Sequence, residues 1–151
     1  MATLFLDSSA LAKRYVREVG SAWVNALADP GSGHDLWVVR VCGVETASAV
    51  VRHVPPLPPA DLLNALALFK LHWQSRFLVV PVDRALVEQA IKLAGVHRLR
   101  GYDAVQLAAL LRVGRRQARA GRPAPVLVSA DAALNAAAAE GFTVDDPNLQ
   151  P

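Results

Sequence analysis

The sequence predicts an α/β fold with a short, mostly parallel central sheet flanked by helices. Three observations carry this. Apolar runs of strand length alternate with stretches of helical periodicity along the whole chain. Most of those runs are continuously apolar, as strands buried on both faces are, where a half-exposed sheet would alternate. Acids stand directly at the ends of several runs, and ligands of open parallel sheets lie outside the carboxyl ends of the strands. A chain of 151 residues suits one domain, 1–151. At that length about 68–70% of the unfolded surface can be buried, so no disulfide staple is needed.

The first strand is ATLFLD (2–7), ending at Asp7. Helical periodicity follows over 8–29, broken by Gly20 and stopped by Pro30 and Gly31. DLWVVR (35–40) is the second strand. GVETASAVVRHV (43–54) is a helix with Val44, Ala47, Val51 and Val54 on one face and Glu45, Ser48, Ala49 and Arg52 on another. PPLPP (55–59) is a rigid connector of polyproline character, with too little chain before it for a separate core. Helix 60–74 carries the stripe Leu62, Leu66, Phe69 and Trp73. FLVVPV (77–82) is the third strand and 83–97 the next helix. The run 102–121 is a long helix, with Asp103 at its N-cap and Gln106 completing a capping-box-like pair. APVLVSAD (124–131) is the fourth strand, 132–141 a helix and FTVDDP (142–147) a last short strand.

Composition narrows the class. Hydrophobic residues make up 53% of the chain, and the mean hydropathy is +0.26. That excess suggests apolar surface shared with a partner. No stretch approaches the ~18 uncharged apolar residues a membrane span needs. MATLFLD has no basic leader and meets an acid at Asp7, which argues against a signal peptide. The single Cys42 excludes an intramolecular disulfide and a Cys-rich zinc site. A reducing cytoplasm is the expected compartment. The net charge of +3 permits a polyanionic partner. Arg112, Arg115, Arg116 and Arg119 recur at helical spacing, either as a solvated helix end opposing the dipole or as phosphate contacts.

Four acids then stand out. Asp7 and Asp131 follow strands, Asp103 opens a helix, and Glu45 lies near the start of another. Alone, each is an ordinary cap or first-turn acid. Gathered on one rim they would repel by about 4 kcal/mol per close pair at an effective dielectric near 20. A fold that assembles them calls for a balancing cation. Hard oxygen donors without His or Cys favour Mg²⁺ or Mn²⁺ over zinc, with coordination positions left open for water and phosphate. The reaction class that follows is phosphodiester hydrolysis. His34, His53, His72 and His97 show no ligand spacing and read as surface or packing residues. Trp23, Trp37 and Trp73 read as core or interface residues. There is no glycine-rich phosphate loop and no GxSxG.

These residues resemble the PIN-domain nucleases, and among them the VapC-type toxins of toxin–antitoxin pairs. LFLDSSALAKRYV is similar to the family's first motif, placing its acid on Asp7 and its supporting hydroxyl on Ser9. VETASAVVR resembles the second, with its acid on Glu45. LRGYDAVQLAAL resembles the third, with its acid on Asp103. VLVSADAALNAAAAEGFTV resembles the fourth, with Ser129 and Asp131 in the hydroxyl and acid positions. The motifs run in family order over nearly the whole chain. RVCG (40–43) stands where relatives commonly carry a hydroxyl residue, and VDDP (144–147) replaces a frequent Asn-Pro, so the family assigns nothing to Asp145 or Asp146.

The resemblance implies a single PIN-like domain and Mg²⁺- or Mn²⁺-dependent hydrolysis of RNA to 5′-phosphate and 3′-hydroxyl ends. Asp7, Glu45, Asp103 and Asp131 would bind the metal directly or through water, oriented by Ser9 and Ser129. Arg98, Arg100, Arg112, Arg115, Arg116 and Arg119 are the candidates to hold RNA phosphate. A cognate antitoxin and a homodimer are the implied protein partners, with the Leu62–Trp73 stripe serving either them or the core. Two other readings remain: a non-catalytic PIN-like module that binds RNA or protein, and a haloacid-dehalogenase-like phosphatase. The latter wants a second acid two residues after the first, where this chain has Ser9.

Overall fold

A computed structural model describes residues 1–150. Five strands form one sheet: β1 (Thr3–Leu6), β2 (Asp35–Val39), β3 (Leu78–Val80), β4 (Val126–Val128) and β5 (Val144–Asp145). Their order is β3-β2-β1-β4-β5, and every neighbouring pair is parallel. The expected α/β class is therefore found, with the sheet wholly parallel. Phe5 pairs with Trp37 on one side and Leu127 on the other, which puts β1 at the centre. Successive strands β1, β2 and β3 step one way and β4 lies on the other flank of β1. The strand order thus reverses beside β1, opening a crevice at its carboxyl end.

Seven helices cover the sheet: α1 (Ser8–Leu11), α2 (Ser21–Ala28), α3 (Cys42–Val51), α4 (Pro59–Ser75), α5 (Arg84–His97), α6 (Gly101–Arg119) and α7 (Ala132–Ala138). Burial on both sheet faces explains the continuous apolar runs. Phe5, Leu6, Val38, Val39, Leu127 and Val128 are all buried in one core with Leu107 and Leu110 of α6. Pro59 opens α4 where its missing N–H costs no helical hydrogen bond. No helix among the described residues is long and apolar enough to cross a membrane.

Two expectations change. The helical stretch expected to run from residue 8 to a break at Gly20 stops earlier. After Leu11 it tightens into a 3₁₀ turn over Ala12–Arg14. Gly20 itself starts α2 with φ 80°, and a Cβ there would lie 2.1 Å from the Pro147 carbonyl oxygen, so only glycine fits.

The valine face of α3 points outward. Val44, Val51 and Val54 are exposed, whereas Cys42, Thr46 and Val50 face the core. Cys42 sits under β1, its Sγ 3.9 Å from the Leu6 carbonyl oxygen, and the Trp73 ring lies so close to Gly43 that a Cβ would meet it at 2.8 Å. Those two contacts fix the rotation of the helix, and the valine periodicity does not. The second change concerns the start of α6 and belongs to the site.

The Leu62, Leu66, Phe69 and Trp73 stripe resolves as core packing. Phe69 is buried and the other three lie against the core, in an aromatic chain that joins Tyr15, Phe69, Trp73 and Phe77. Trp23, Trp37 and Trp73 are all partly buried against the core. His72 meets the Tyr15 hydroxyl at 3.1 Å, and His34 accepts from the Ala2 amide at 3.0 Å, so both have packing roles.

Candidate functional site

Asp7 follows β1 immediately and is buried, 3% exposed. Its backbone is extended, and its carboxylate accepts from the Ser9 amide, which caps α1. Three hydroxyls converge on the same side chain. Ser9 Oγ donates to Oδ2 at 2.5 Å, Ser129 Oγ to Oδ2 at 3.3 Å and Ser8 Oγ to Oδ1 at 3.4 Å. Ser9 Oγ in turn accepts from the Ala130 amide at 2.9 Å, tying β1 to the end of β4. Ser129 Oγ accepts from the Asp131 amide at 3.1 Å, and its carbonyl oxygen accepts from Asn135 at 2.8 Å. The two serines therefore orient Asp7 and join the first and fourth motifs. The buried Asp7 carboxylate is thus held by hydroxyl and amide donors, and no ion pair reaches it among the described residues.

Asp131 caps α7, accepting from the Leu134 amide at 2.8 Å. Asp7 and Asp131 are thus genuine caps as well as rim acids. Asp103 is not. The residue at the N-cap position of α6 is Arg100, and Asp103 lies inside the first turn. Gln106 does not close a capping box: it is buried on the inner face of α6 and donates to Glu45 Oε2 at 3.2 Å. The sequence displayed this signal as a glutamine in an otherwise apolar stretch of helix, and capping explained it too easily. Gln106 Oε1 is left buried without a partner, an unused acceptor beside the acids.

The four carboxylates share one electrostatic neighbourhood. Burial, then the charge of Asp7, pushes the Glu45 carboxyl above the ordinary carboxylate range, against the Gln106 hydrogen bond that lowers it. Burial, then Asp131 and Asp7, likewise raises Asp103, with Arg100 as the opposing charge. Like charges and desolvation both disfavour the ionised forms.

The donor set suits a hard divalent ion: carboxylate oxygens, no His or Cys, and a surplus of negative charge. The side chains are not drawn tight, however. Among the described residues no three His, Cys, Asp or Glu side chains are gathered closely enough to clasp an ion directly. Donor chemistry and spacing together fit a hydrated ion held partly through water.

Two cavities open at the acids. One of about 680 Å³ is lined by Glu45, Arg100, Tyr102 and Asp103 together with apolar residues of α5. The other, about 500 Å³, runs past Glu45, Ser48, Arg52 and Tyr102. A larger cavity, about 960 Å³, is elsewhere, between β3 and the carboxyl half of α6. That cavity contains no acid of the cluster.

The arginines divide accordingly. Arg112, Arg115, Arg116 and Arg119 line the distant cavity. Nine to sixteen residues of helix separate them from Asp103, about 14 to 24 Å. Arg112 makes a two-pronged pair with Asp83 at 2.7 and 2.8 Å, Arg115 donates to Gln89 at 2.6 Å and Arg116 lies over the Trp37 ring. Arg98 ends α5 with φ 54° and lines neither cavity beside the acids. Arg100 alone of the six stands with the carboxylates. At the other end of the chain, Asp146 caps the last turn by accepting from the Asn148 amide, and the Asp145 carbonyl oxygen accepts from the Ser129 amide.

No family profile matches the sequence, and no curated protein matches it. Solved structures do. PAE2754 from Pyrobaculum aerophilum is similar with a TM-score of 0.63 at 20% identity, over 97% of this chain and 90% of that one. Mycobacterium tuberculosis VapC20, a sarcin–ricin loop cleaving toxin, gives 0.63 at 18% identity, over 98% and 99%. FitAcB from Neisseria gonorrhoeae gives 0.54 at 16% identity, over 95% and 97%. At these identities the likeness is one of fold, and it bears out the PIN-like fold that the four motifs implied.

Proposed function

We propose that the chain is a Mg²⁺- or Mn²⁺-dependent endoribonuclease acting as the toxin of a toxin–antitoxin pair in the cytoplasm. The observation that carries this reading is the mutual repulsion at the switch crevice. Asp7 raises both Glu45 and Asp103, and Asp131 raises Asp103, at the place where a parallel sheet presents its ligand site. Asp7, Glu45, Asp103 and Asp131 would hold the ion, directly or through water. When bound, a divalent ion supplies water of lowered pKa and a counter-charge for phosphate. Ser9 and Ser129 fix the Asp7 carboxylate, and Gln106 fixes that of Glu45. The substrate is an RNA phosphodiester, and the products carry 5′-phosphate and 3′-hydroxyl ends. Similarity in fold to the toxin VapC20 supports the biological role.

The partners are a cognate antitoxin and a second copy of the chain. Val51, Val54, Leu63 and Leu71, exposed on and after α3 and along α4, supply apolar surface of the kind such contacts bury. A non-catalytic RNA- or protein-binding module is the second reading, and the absence of a tight three-donor cluster among the described residues favours it. One experiment separates the two. Purified protein should cleave RNA with Mg²⁺ or Mn²⁺, lose the activity in EDTA, and lose it in Asp7→Asn with its circular dichroism intact. Cleavage that persists in EDTA overturns the metal role. Growth arrest that survives Asp7→Asn together with Asp103→Asn favours the binding module.

A further inference from the structure

Tyr102 precedes Asp103 in the first turn of α6 and is 57% exposed. It lines both cavities that open beside Glu45. In the larger one the polar groups lie together: Glu45, Asp103 and Arg100. The α5 side of the lining is apolar, built by Val87, Ile91 and Ala94. Ile91 is itself 68% exposed. Scattered apolar side chains on a surface need no explanation, but these share one concavity with the acids. A pocket of about 680 Å³ with apolar walls and a few convergent polar groups has the dimensions and character of a small-molecule site.

We propose that this cavity is a nucleobase subsite, in which one base of the bound RNA strand stacks on the Tyr102 ring against the α5 wall while Arg100 faces the adjoining phosphate. The inference rests on the nuclease reading of the acids and names a recognition element for it. Three features select a base as the occupant. The cavity is continuous with the carboxylates, so a strand whose phosphate lies there has its neighbouring base at the mouth. Its apolar wall matches the face of a base and rejects a phosphate. Its one cation, Arg100, lines the cavity together with Glu45 and Asp103, where a polyanionic strand would need it. An aromatic face accepts any base, so the subsite adds affinity with modest sequence preference. The other large cavity offers no such arrangement, because three of its arginines are already engaged by Asp83, Gln89 and Trp37.

The test uses short RNA oligomers carrying a single 2-aminopurine at successive positions, bound to an Asp7→Asn protein that does not cut them. Stacking on Tyr102 should quench the probe. Tyr102→Ala should abolish the quench and weaken binding roughly 5- to 100-fold, while Tyr102→Phe retains both. Thermal melting of each variant separates these effects from unfolding. A quench and an affinity unchanged in Tyr102→Ala overturn the proposal. So does a change confined to sedimentation behaviour, which would make the cavity a contact between two copies. If the Asp7→Asn protein binds no oligomer and the unaltered chain cuts none, the nuclease reading fails and the subsite with it. If the unaltered chain cuts RNA but no position is quenched, the subsite alone fails.

Discussion

At its amino end α6 carries Asp103 into a crevice with Asp7, Glu45 and Asp131, where burial and neighbouring charges of the same sign raise the carboxyls of Glu45 and Asp103. Along its carboxyl half the same helix carries Arg112, Arg115 and Arg116, each already provided with an acid, an amide or an aromatic ring. The second region surrounds the larger cavity, and the first gathers the acids of the proposed site. The difference lies in balance. A protein surface settled for its own stability pairs its charges, as the arginine end does. Like charges held together by the fold without a counter-ion cost stability that a binding partner can return. The buried face of α6, from Ala104 through Leu110 to Val113, makes both ends parts of one rigid rod.

The largest break in that comparison should come from Asp103→Asn. The expected loss of RNA cleavage is at least about a hundredfold, the scale reached by disturbing groups around a metal site. Stability of the metal-free protein should move the other way. Asp103 has its folded-state carboxyl raised, so the folded protein holds the proton more tightly than the unfolded chain. Such a group contributes stability that is full below the unfolded carboxylate range near 4, and that is lost as pH rises through the folded value. At neutral pH the asparagine avoids that loss, and no cap is sacrificed because Asp103 caps nothing. Thermal melting from about pH 4 to 8 should show the variant melting above the parent at neutral pH, with the gap closing toward acid. A variant that melts lower throughout would place Asp103 on the settled side of the comparison.

Much of this contrast was legible in the sequence because it is local. An acid at the end of an apolar run, a hydroxyl two residues from it in the first and last cases, and four acid-bearing phrases in order need no knowledge of the third dimension. What required the fold was rotation and reach. Whether Val44 and Val51 or Thr46 and Val50 face the core is decided by the contacts of Cys42 with β1 and of Trp73 with Gly43, residues far apart in the chain. Gln106 read as a cap because its partner Glu45 lies 61 positions away. The arginine row had regular spacing, but its engagement depends on Asp83 and Gln89 of α5 and its cap and on Trp37 of β2, which come from two other segments.

Ser129→Ala sharpens the comparison with a smaller effect. Ser129 is fully buried and bridges Asp7 Oδ2 and the Asp131 amide, so its loss loosens two acids without removing a charge. Cleavage should fall roughly 10- to 100-fold, the range for groups that orient metal ligands. The fall should appear as a weaker response in a Mg²⁺ or Mn²⁺ titration, with RNA binding by the same protein little changed. A loss of RNA affinity at unchanged metal response would make Ser129 a substrate contact.

The smallest effect tests the settled region. Arg112 holds the exposed Asp83 carboxyl down at about 2. A depressed carboxyl contributes stability above its unfolded value, and that contribution disappears as pH falls through the folded one. Arg112→Gln should therefore lower the melting temperature slightly at neutral pH, and the difference should vanish toward pH 2 and shrink in high salt, as screened surface pairs do. Asp83 keeps its cap on α5 through the Leu86 amide, which limits the damage. Cleavage and RNA affinity should stay at parental values, because the arginine is already occupied and lies far along the helix from the acids. A fall in RNA affinity with a shallower salt dependence would show instead that a phosphate displaces Asp83 from Arg112, and the paired end of α6 would then belong to the substrate path after all.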